Sequence, residues 1–416
     1  MKDVAQLDVR MDNLRVGGLA SDARGEIFFE YDPSWVAGGY ALSPMNHFRL
    51  RQRAFKSSNK IFDGLHGVFN DALPDGWGLR LMHRALKARA GWNPHEITPL
   101  DRLAYIGDRA MGALEFYPAI ENDATDREPS LGELAEAALL VEEGKAGEIL
   151  RALFVQGGSP GGARPKVTVA LQRDSDHCLC GFGTIPDDYD HWLVKFRSKE
   201  GDPECIGRVE KAYAQMAVDA GVIMPETRLV SAVVRGKPQD FFAVQRFDRN
   251  GNQKRHVLSL GAMLEANYRL PCLDYDGLFK AVLLATKDVR EVVKAFRVMV
   301  FNVLGHNKDD HLKNFSFIHQ ESQWRLSPAY DLTFSAGMNN HHMTSVSGKG
   351  NPSMQDIRAL AQKHEIADWK TIVNEVRETV CAWSSYAKAW NVDAEVARAY
   401  ADAMLALPCA LSKERL

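Results

Sequence analysis

The sequence lacks several features that define whole classes of protein. Its 416 residues include only six cysteines, which are scattered, so we expect free thiols in a reducing compartment and no disulfide framework or zinc knuckle. No run approaches the roughly 20 apolar residues that a membrane-spanning helix needs, and the first residues lack the apolar core of a secretion signal. The sequence therefore predicts a cytoplasmic protein without a membrane partner.

An excess of charge of either sign is also lacking. The 51 Lys and Arg residues stand against 54 Asp and Glu residues, giving a net charge of −3, so no overall basic field attracts nucleic acid. With 45% hydrophobic and 25% charged residues, the composition is that of a globular protein with a large core. Internal repeats and low-complexity tracts are absent from the sequence.

The pattern of apolar residues changes twice along the chain and predicts three domains. Residues 1–125 combine short strands with a helix after the turn at 74–76, which is typical of a small α+β module. Residues 126–250 are mostly strands around one internal helix, and residues 251–416 are mostly helical. A strand-rich lobe followed by a helical lobe indicates an α+β, bilobal, protein-kinase-like fold with a cleft between the lobes.

Charged side chains are densest in GHNKDDHLKNFSF, residues 305–317, directly after an apolar helix that we expect to be buried. In the protein kinase scheme, a carboxylate accepts the proton of the attacking hydroxyl and an Asn five positions later holds magnesium. Asp309 and Asn314 have this spacing, whereas Asp310 misses it by one and is expected to face solvent. Asp331, beyond a predicted hairpin, supplies the second magnesium ligand.

The strand-rich lobe contains the groups that such a site needs to bind ATP. Lys195 in the strand HWLVKF is predicted to hold the phosphates, oriented by an ion pair with Glu210 on the next helix. Upstream, QGGSPGGARPK at 156–166 has four glycines, which let backbone N–H groups approach a phosphate. The end of the last strand predicts a hinge that presents backbone groups to adenine, formed by Gln245, Arg246 and Phe247. The order of these elements predicts an ATP- and Mg²⁺-dependent phosphotransferase.

These motifs resemble those of the HipA family of bacterial toxin kinases. The signature N-x-D-x-H-x-K-N-x-S is present at 307–316, the Pro-x-Tyr-Asp tetrapeptide ends at Asp331, and the GGSPGGARPK, VKF and RFDR motifs are all in place. YDPSW near residue 31, FDGL to LPDGWG at 62–78 and DRLAYIGDRAMGALEF at 101–116 extend the resemblance to nearly the whole chain.

The resemblance implies a Ser/Thr protein kinase that is the toxin of a toxin-antitoxin pair. Its partner would be a small helix-turn-helix antitoxin bound to operator DNA, so any association with the nucleoid would come through that antitoxin. Its substrate would be an aminoacyl-tRNA synthetase, glutamyl-tRNA synthetase first, whose phosphorylation blocks translation and favours growth arrest and persistence.

The resemblance also assigns roles to individual residues. Asp309 would be the base, Asn314 and Asp331 would hold Mg²⁺, and Ser159 would be autophosphorylated. A phosphate on Ser159 adds about two negative charges beside the ATP phosphates, so we expect it to inactivate the enzyme. Besides Lys195, the hinge and the metal ligands, the ATP site would include Gly161, Gly162, Ala163, Arg164, Pro165, Lys166, His311 and Lys313.

Three other interpretations remain open. A small-molecule kinase shares the same cleft chemistry. A metal hydrolase would use His306, Asp309, Asp310 and His311, although it leaves the Lys195 strand unexplained. A co-repressor scaffold would dock an antitoxin on DNA without kinase activity.

Overall fold

The protein is described here from a computed structural model. The structure describes residues 3–45, 48–57, 60–120, 128–145, 153, 161–199 and 201–406. Two five-stranded antiparallel sheets are followed by a mostly helical part. Among the helices of the described residues, none is both long and apolar enough to cross a lipid bilayer.

The N-terminal module is built on the first sheet, with strand order β4-β3-β2-β1-β5. Its strands are β1 Gln6–Met11, β2 Leu14–Ser21, β3 Ile27–Tyr31, β4 Phe55–Lys56 and β5 Glu115–Tyr117. Its helices are α1 Pro33–Gly38, α2 Gly67–Asn70, α3 Gly76–Ala90 and α4 Pro99–Ile106, with 3-10 turns at Lys60–Phe62 and Pro94–Glu96. Every second residue of β1 is buried, because alternate side chains of a strand point to opposite faces.

The second sheet has the strand order β7-β6-β8-β10-β9. Its strands are β6 Lys166–Gln172, β7 Cys178–Cys180, β8 Tyr189–Lys195, β9 Thr227–Val234 and β10 Lys237–Gln245, and its helices are α5 Leu131–Glu142 and α6 Ile206–Asp219. The register pairs Lys195 at the end of the central strand with Lys166 of β6 on one side and Phe242 of β10 on the other. The sheet therefore carries two lysines side by side at one end.

The helical part begins after this sheet. Its helices are α7 Leu260–Met263, α8 Tyr275–Thr286, α9 Val289–Leu304, α10 Met354–Lys363, α11 Trp369–Cys381, α12 Trp383–Ala389 and α13 Ala394–Leu405, with a 3-10 turn at Leu312–Asn314. Short strands between them are β11 Arg249–Asn250, β12 Gln253–Lys254, β13 Val257–Ser259, β14 Leu273–Asp274, β15 Ser316–Gln320, β16 Gln323–Leu326 and β17 Thr344–Ser345. The residues 298–304 that end α9 are all buried, so the charged cluster begins from a fixed base.

The buried side chains join the N-terminal module to both of the other parts. Its apolar residues and those of the helical part form one continuous hydrophobic core. Trp77 and Leu81 of α3 instead pack in the separate core of the second sheet. The helix α3 thus fastens the N-terminal module to the strand-rich lobe, while the exact domain boundaries stay predictions.

Candidate active site

A cleft of about 930 Å³ is lined by residues from all three parts of the molecule. Most of the residues that the sequence predicts for the site line it, and their roles stay predictions. They are Gly161, Gly162, Ala163, Arg164, Lys166, Lys195, Glu210, Gln245, Arg246, Phe247, Asp309, His311, Lys313, Asn314 and Asp331.

Two of the predicted residues are not among those that line the cleft in the described part of the chain. Pro165, in the predicted phosphate loop of residues 161–166, is buried, and its carbonyl accepts the N–H of Phe196 at 2.8 Å. Its place at the nucleotide stays a prediction. Ser159 is outside the described residues.

Lys195 is the centre of the charge arrangement in the cleft. Its Nζ lies 3.0 Å from Oε1 of Glu210 on α6 and 2.5 Å from Oδ1 of Asp331, which follows the hairpin β15–β16. The positive charge of Lys195 holds the pKa of Asp331 well below its ordinary value. Burial opposes the charged form of Lys195, but Asp331 and Glu210 outweigh this and raise its pKa. Lys195 and Asp331 are therefore placed to be ionised together.

Glu210 also binds a second cation, which the sequence did not indicate. Arg164 Nη1 lies 2.6 Å from Oε1 of Glu210, and Nε of Arg164 lies 2.9 Å from Oδ2 of Asp202. The guanidinium thereby ties the end of the phosphate loop to the same carboxylate that orients Lys195. No local spacing links Asp202 to this site, since its partner Arg164 is 38 positions away.

The segment 309–314, called the catalytic loop below, brings Asp309 and Asn314 together. The side-chain amide of Asn314 donates a hydrogen bond to the backbone carbonyl of Asp309 at 2.7 Å, which fixes the loop between them. The Asp309 side chain is exposed to the cleft. Loss of water there raises the pKa of Asp309, and the negative charges of Asp331 and Asp310 raise it further. A carboxylate in these surroundings is a stronger base than an ordinary aspartate.

Asp310 does not face solvent, contrary to the prediction. It is only 1% exposed, and its carboxylate accepts hydrogen bonds from Tyr275 Oη at 2.9 Å, from the N–H of Met343 at 2.8 Å and from the N–H of Thr344 at 3.2 Å. His342 Nδ1 lies 2.9 Å from the same group. A buried carboxylate needs such donors, so Asp310 anchors the catalytic loop to the helical lobe.

The phosphate loop is fastened to the N-terminal module by Asp75. The N–H of Gly162 donates to Oδ1 of Asp75, and the loop carbonyl of Gly162 accepts the N–H of Trp77 at 2.9 Å. Asp75 also binds Lys313 of the catalytic loop, with Nζ and Oδ2 2.9 Å apart. The sequence placed Asp75 only in a turn, and these contacts span 87 and 238 positions, so no pattern in the sequence reveals them.

Lys166 lies next to Lys195 at the closed end of the cleft. Its Nζ donates to the carbonyl of Gly161 at 2.6 Å. Burial lowers the pKa of Lys166 to about 8, and the nearby charge of Lys195 lowers it as well, although Asp331 opposes both. An amine in this state gains a full positive charge readily when an anion approaches it.

In the predicted hinge, the backbone N–H groups of Gln245 and Arg246 are already bound within the protein. The N–H of Gln245 is bound to the carbonyl of Glu226 at 2.9 Å, and the N–H of Arg246 is bound to the carbonyl of His191 at 2.8 Å. Among the described backbone hydrogen bonds of these three hinge residues, none uses the N–H of Phe247. The ring of Phe247 stacks against Tyr330, with centroids 5.6 Å apart.

The donor set of the cleft fits a magnesium nucleotide. The buried atoms Asn307 Oδ1, His311 Nδ1 and Thr333 Oγ1 have no hydrogen-bond partner among the described residues, and all three residues line the cleft. Buried polar atoms are nearly always paired, so these suit a polar ligand. The Asp331 carboxylate and the Asn314 amide oxygen are hard donors of the kind that Mg²⁺ prefers.

Gly162 of the predicted phosphate loop stands where only glycine fits without strain. Gly162 has a φ of 94°, a conformation that side chains rarely adopt, and a Cβ there would lie 2.5 Å from Lys166 Nζ. Glycine at this position thus leaves room for a group beside the lysine amine.

The metal-hydrolase interpretation does not fit this geometry. Asp310 is bound inside the lobe, and His306 stacks on Phe334 with ring centroids 4.7 Å apart. Within the described parts of the chain, no group of three or more His, Cys, Asp or Glu side chains is suited to hold a metal ion. The four residues of that alternative therefore do not form one centre.

The chain matches two family models that together span most of its length. Residues 7–117 match the HipA N-terminal domain, and residues 158–388, more than half of the chain, match the HipA-like C-terminal domain.

The similar curated proteins include one from Sinorhizobium fredii and one from Escherichia coli. "Putative kinase Y4dM" of Sinorhizobium fredii is 26% identical over 435 residues, covering 95% of this chain and 96% of that protein. "Toxin YjjJ" of Escherichia coli is 25% identical over 284 residues, covering 65% of this chain and 60% of that protein.

A similar solved structure is a Shewanella oneidensis complex of the toxin-antitoxin proteins HipA and HipB with their operator DNA. The TM-score is 0.70 at 16% identity, and the match covers 97% of this chain and 96% of that chain. At this identity the likeness shows a shared fold, which confirms the predicted fold class.

Proposed function

Because the chain belongs to the HipA family, we propose that it is an ATP- and Mg²⁺-dependent Ser/Thr protein kinase and the toxin of a toxin-antitoxin pair. One observation carries the proposal. Lys195, Asp309, Asn314 and Asp331, which come from three separate segments of the sequence, line one cleft, and Lys195 contacts Asp331 directly. Kinases need this combination of a phosphate-binding lysine, a base and two metal ligands.

Each residue has a defined task in phosphoryl transfer. Asp309 accepts the proton of the acceptor hydroxyl, for which its raised pKa suits it. Lys195 holds phosphate oxygens and is itself kept in place by Glu210. Asn314 and Asp331 hold the metal. Bound Mg-ATP supplies the phosphoryl group and neutralises the charge that develops during its transfer.

The partners follow from the relatives. The Shewanella protein is found with HipB and operator DNA, and the E. coli relative is named a toxin. We therefore propose a small helix-turn-helix antitoxin as partner, and contact with operator DNA at the nucleoid through that antitoxin. The proposed substrate is an aminoacyl-tRNA synthetase, with glutamyl-tRNA synthetase as the first candidate, so that phosphorylation blocks translation and produces growth arrest and persistence.

The test is phosphate transfer by the purified full chain. Radiolabelled ATP and Mg²⁺ are supplied with aminoacyl-tRNA synthetases and, separately, with small alcohols, using the wild type and Asp309→Asn. Label on a Ser or Thr of a synthetase, lost in the variant, supports the proposal. Label on small alcohols alone indicates a small-molecule kinase. An inactive wild type that still represses with its antitoxin indicates a co-repressor scaffold.

Ser159 is proposed as a site of self-inactivation. Mass spectrometry after incubation with Mg-ATP should find phosphate on Ser159 together with a loss of transfer activity, whereas Ser159→Ala should stay active. An active wild-type enzyme with unmodified Ser159 would contradict this part of the proposal only.

A further inference from the structure

Asp75 lies where three parts of the molecule meet, although it belongs to the N-terminal module. Its Oδ1 accepts the N–H of Gly162 in the phosphate loop, and its Oδ2 accepts from Lys313 Nζ at 2.9 Å and from Tyr268 Oη at 2.7 Å. The residue is only 9% exposed, yet it lines the cleft. One carboxylate therefore joins the phosphate loop to the catalytic loop.

The charges at this junction are complementary. Burial raises the pKa of the Asp75 carboxyl, but Lys313 and the donors around it outweigh burial and hold it well below its ordinary value. Burial likewise opposes the charge on Lys313, and Asp75 restores it. The pair is thus a half-buried ion pair, in which removal of one partner leaves the other charge unpaired.

A second contact fixes the same loop from the other side. The carbonyl of Gly162 accepts the N–H of Trp77, and a Cβ on Gly76 would lie 2.5 Å from that carbonyl oxygen. Trp77 is fully buried in the core of the second sheet. The N–H and the C=O of one loop residue are therefore both held by the segment that begins α3.

We infer that Asp75 is a positioning residue of the kinase site, which holds the phosphate loop and Lys313 where they meet the phosphates of a nucleotide. The inference rests on the proposed function. It makes the N-terminal module a structural part of the ATP site, because this module adds an anchor at Gly162 to the ion pair that Arg164 makes with Glu210 within the strand-rich lobe. The loop geometry is set before nucleotide binds, which lowers the cost of ordering it.

The chain offers a nearly isosteric variant and a matched control. In Asp75→Asn, an amide that keeps its oxygen toward Gly162 turns its NH₂ group toward Lys313, whose ammonium can only donate, so the bridge between the two loops breaks. Asp63 is another carboxylate of the same module, 64% exposed and paired with Arg102 at 2.6 Å, and it is not among the residues that line the cleft. Asp63→Asn therefore removes an ion pair without touching the phosphate loop.

The first measurement is hydrogen–deuterium exchange of the nucleotide-free full chain. In Asp75→Asn, we expect the amides of Gly162 and Trp77 to exchange about tenfold faster or more, because their local opening loses its main restraint. Exchange in β8 and in Asp63→Asn should match the wild type. Unchanged exchange at Gly162 in Asp75→Asn would overturn the inference, whatever the protein does with ATP.

The second measurement separates positioning from simple stabilisation. In Asp75→Asn, we expect the KM for ATP to rise about tenfold while kcat changes less than about threefold. The rise in KM caused by Asp75→Asn should be smaller when Lys313→Met is already present, because Asp75 and Lys313 act through one bridge. A lower melting temperature with an unchanged KM, or full additivity with Lys313→Met, would contradict the inference. A wild type without phosphotransfer would refute the proposed function, and the exchange result would still decide whether Asp75 holds the loop.

Discussion

The catalytic loop and the phosphate loop are each held by a carboxylate, but the two carboxylates come from different parts of the molecule. Asp310 is inside the helical lobe and takes its donors from Tyr275 and from the segment 342–344 of that same lobe. Asp75 comes from the N-terminal module and reaches into the cleft to Gly162. The carboxylate of Asp310 belongs to the lobe that contains its loop, whereas the carboxylate that binds Gly162 comes from a neighbouring module.

The two loops therefore depend on different parts of the fold. The geometry around Asp309 is built into the core of the helical lobe, so it should last as long as that lobe is folded. The geometry of the phosphate loop depends on the docking of a separate module. Damage to Asp310 should therefore lower stability, whereas damage to Asp75 should mainly lower nucleotide affinity.

The largest expected effect is the loss of phosphoryl transfer when Asp309, and not its neighbour Asp310, is substituted. Asp309→Asn should lower the rate of phosphoryl transfer by about a thousandfold, because the acceptor hydroxyl loses its base. The free energy of unfolding should change by less than about 0.5 kcal/mol, since the side chain is exposed to the cleft. Steady-state transfer assays and urea unfolding measure the two quantities. Retention of a tenth of the wild-type rate would show that Asp309 is not the base.

The next largest effect is the loss of stability when Asp310, the anchor of the catalytic loop, is substituted. Asp310→Ala should lower the free energy of unfolding by about 3 kcal/mol, because the hydroxyl of Tyr275 and two backbone N–H groups are left buried without an acceptor. Urea unfolding followed by circular dichroism measures it. Asp75→Asn serves as the contrasting variant, with a smaller expected loss, because its amide keeps an acceptor for the N–H of Gly162 and the unpaired Lys313 lines the cleft. Equal losses in both variants would remove the distinction between the two loops.

A smaller effect is the expected dependence of ATP affinity on pH, which arises from Lys166. The pKa of Lys166 is lowered to about 8, from an ordinary value near 10.5. As pH rises from 7 to 9, the free protein loses this positive charge, so ATP affinity should fall by about threefold to tenfold. Calorimetric titration of the wild type and of Lys166→Met, which should bind weakly with little dependence on pH, tests this. A wild-type affinity that stays level to pH 9 contradicts it.

The same lysine affects stability in the opposite direction. Between about pH 8 and the ordinary pKa of lysine, the unfolded chain binds more protons at this residue than the folded chain does. The contribution of Lys166 to the free energy of unfolding therefore rises with pH across that window. The difference between wild type and Lys166→Met in urea unfolding at pH 7.5 and pH 9.5 isolates this contribution.

The smallest expected effect is at the hinge, where the two lobes also touch. Phe247→Leu removes the stacking of Phe247 on Tyr330 and should raise the KM for ATP by about threefold, because an aromatic pair contributes about 1 kcal/mol. Phe241→Leu on β10 leaves that stack in place and tests whether any apolar loss has the same result. Phe241 packs in the core of the second sheet and is not among the residues that line the cleft. An unchanged KM in Phe247→Leu would show that the phosphate end of the cleft alone sets affinity.

Local patterns in the sequence were enough to predict part of the site. Asp309 and Asn314 are five positions apart in one loop, and Lys195 and Glu210 lie on a consecutive strand and helix, so spacing and order place them. Asp331 follows from its position after the β15–β16 hairpin. In each case the residues lie on neighbouring elements of the sequence, or their elements occur in the order that the kinase scheme predicts.

The anchors could not be predicted, because they depend on contacts between distant segments. Asp309 and Asp310 are the same residue type in adjacent positions, and only Tyr275 and His342, 35 and 32 positions away, decide which one is buried. Asp75 looks like an ordinary turn residue until Gly162 and Lys313 are brought beside it. Patterns of hydrophobicity and spacing contain no information on such pairings.

The central claim is that Lys195, Asp309, Asn314 and Asp331 surround one magnesium nucleotide. A crystal structure of the full chain with Mg²⁺ and a non-hydrolysable ATP analogue tests it most directly. We predict the metal between Asn314 and Asp331 and the phosphates at Lys195. A nucleotide bound outside this cleft, or a metal that contacts neither Asn314 nor Asp331, would contradict the claim.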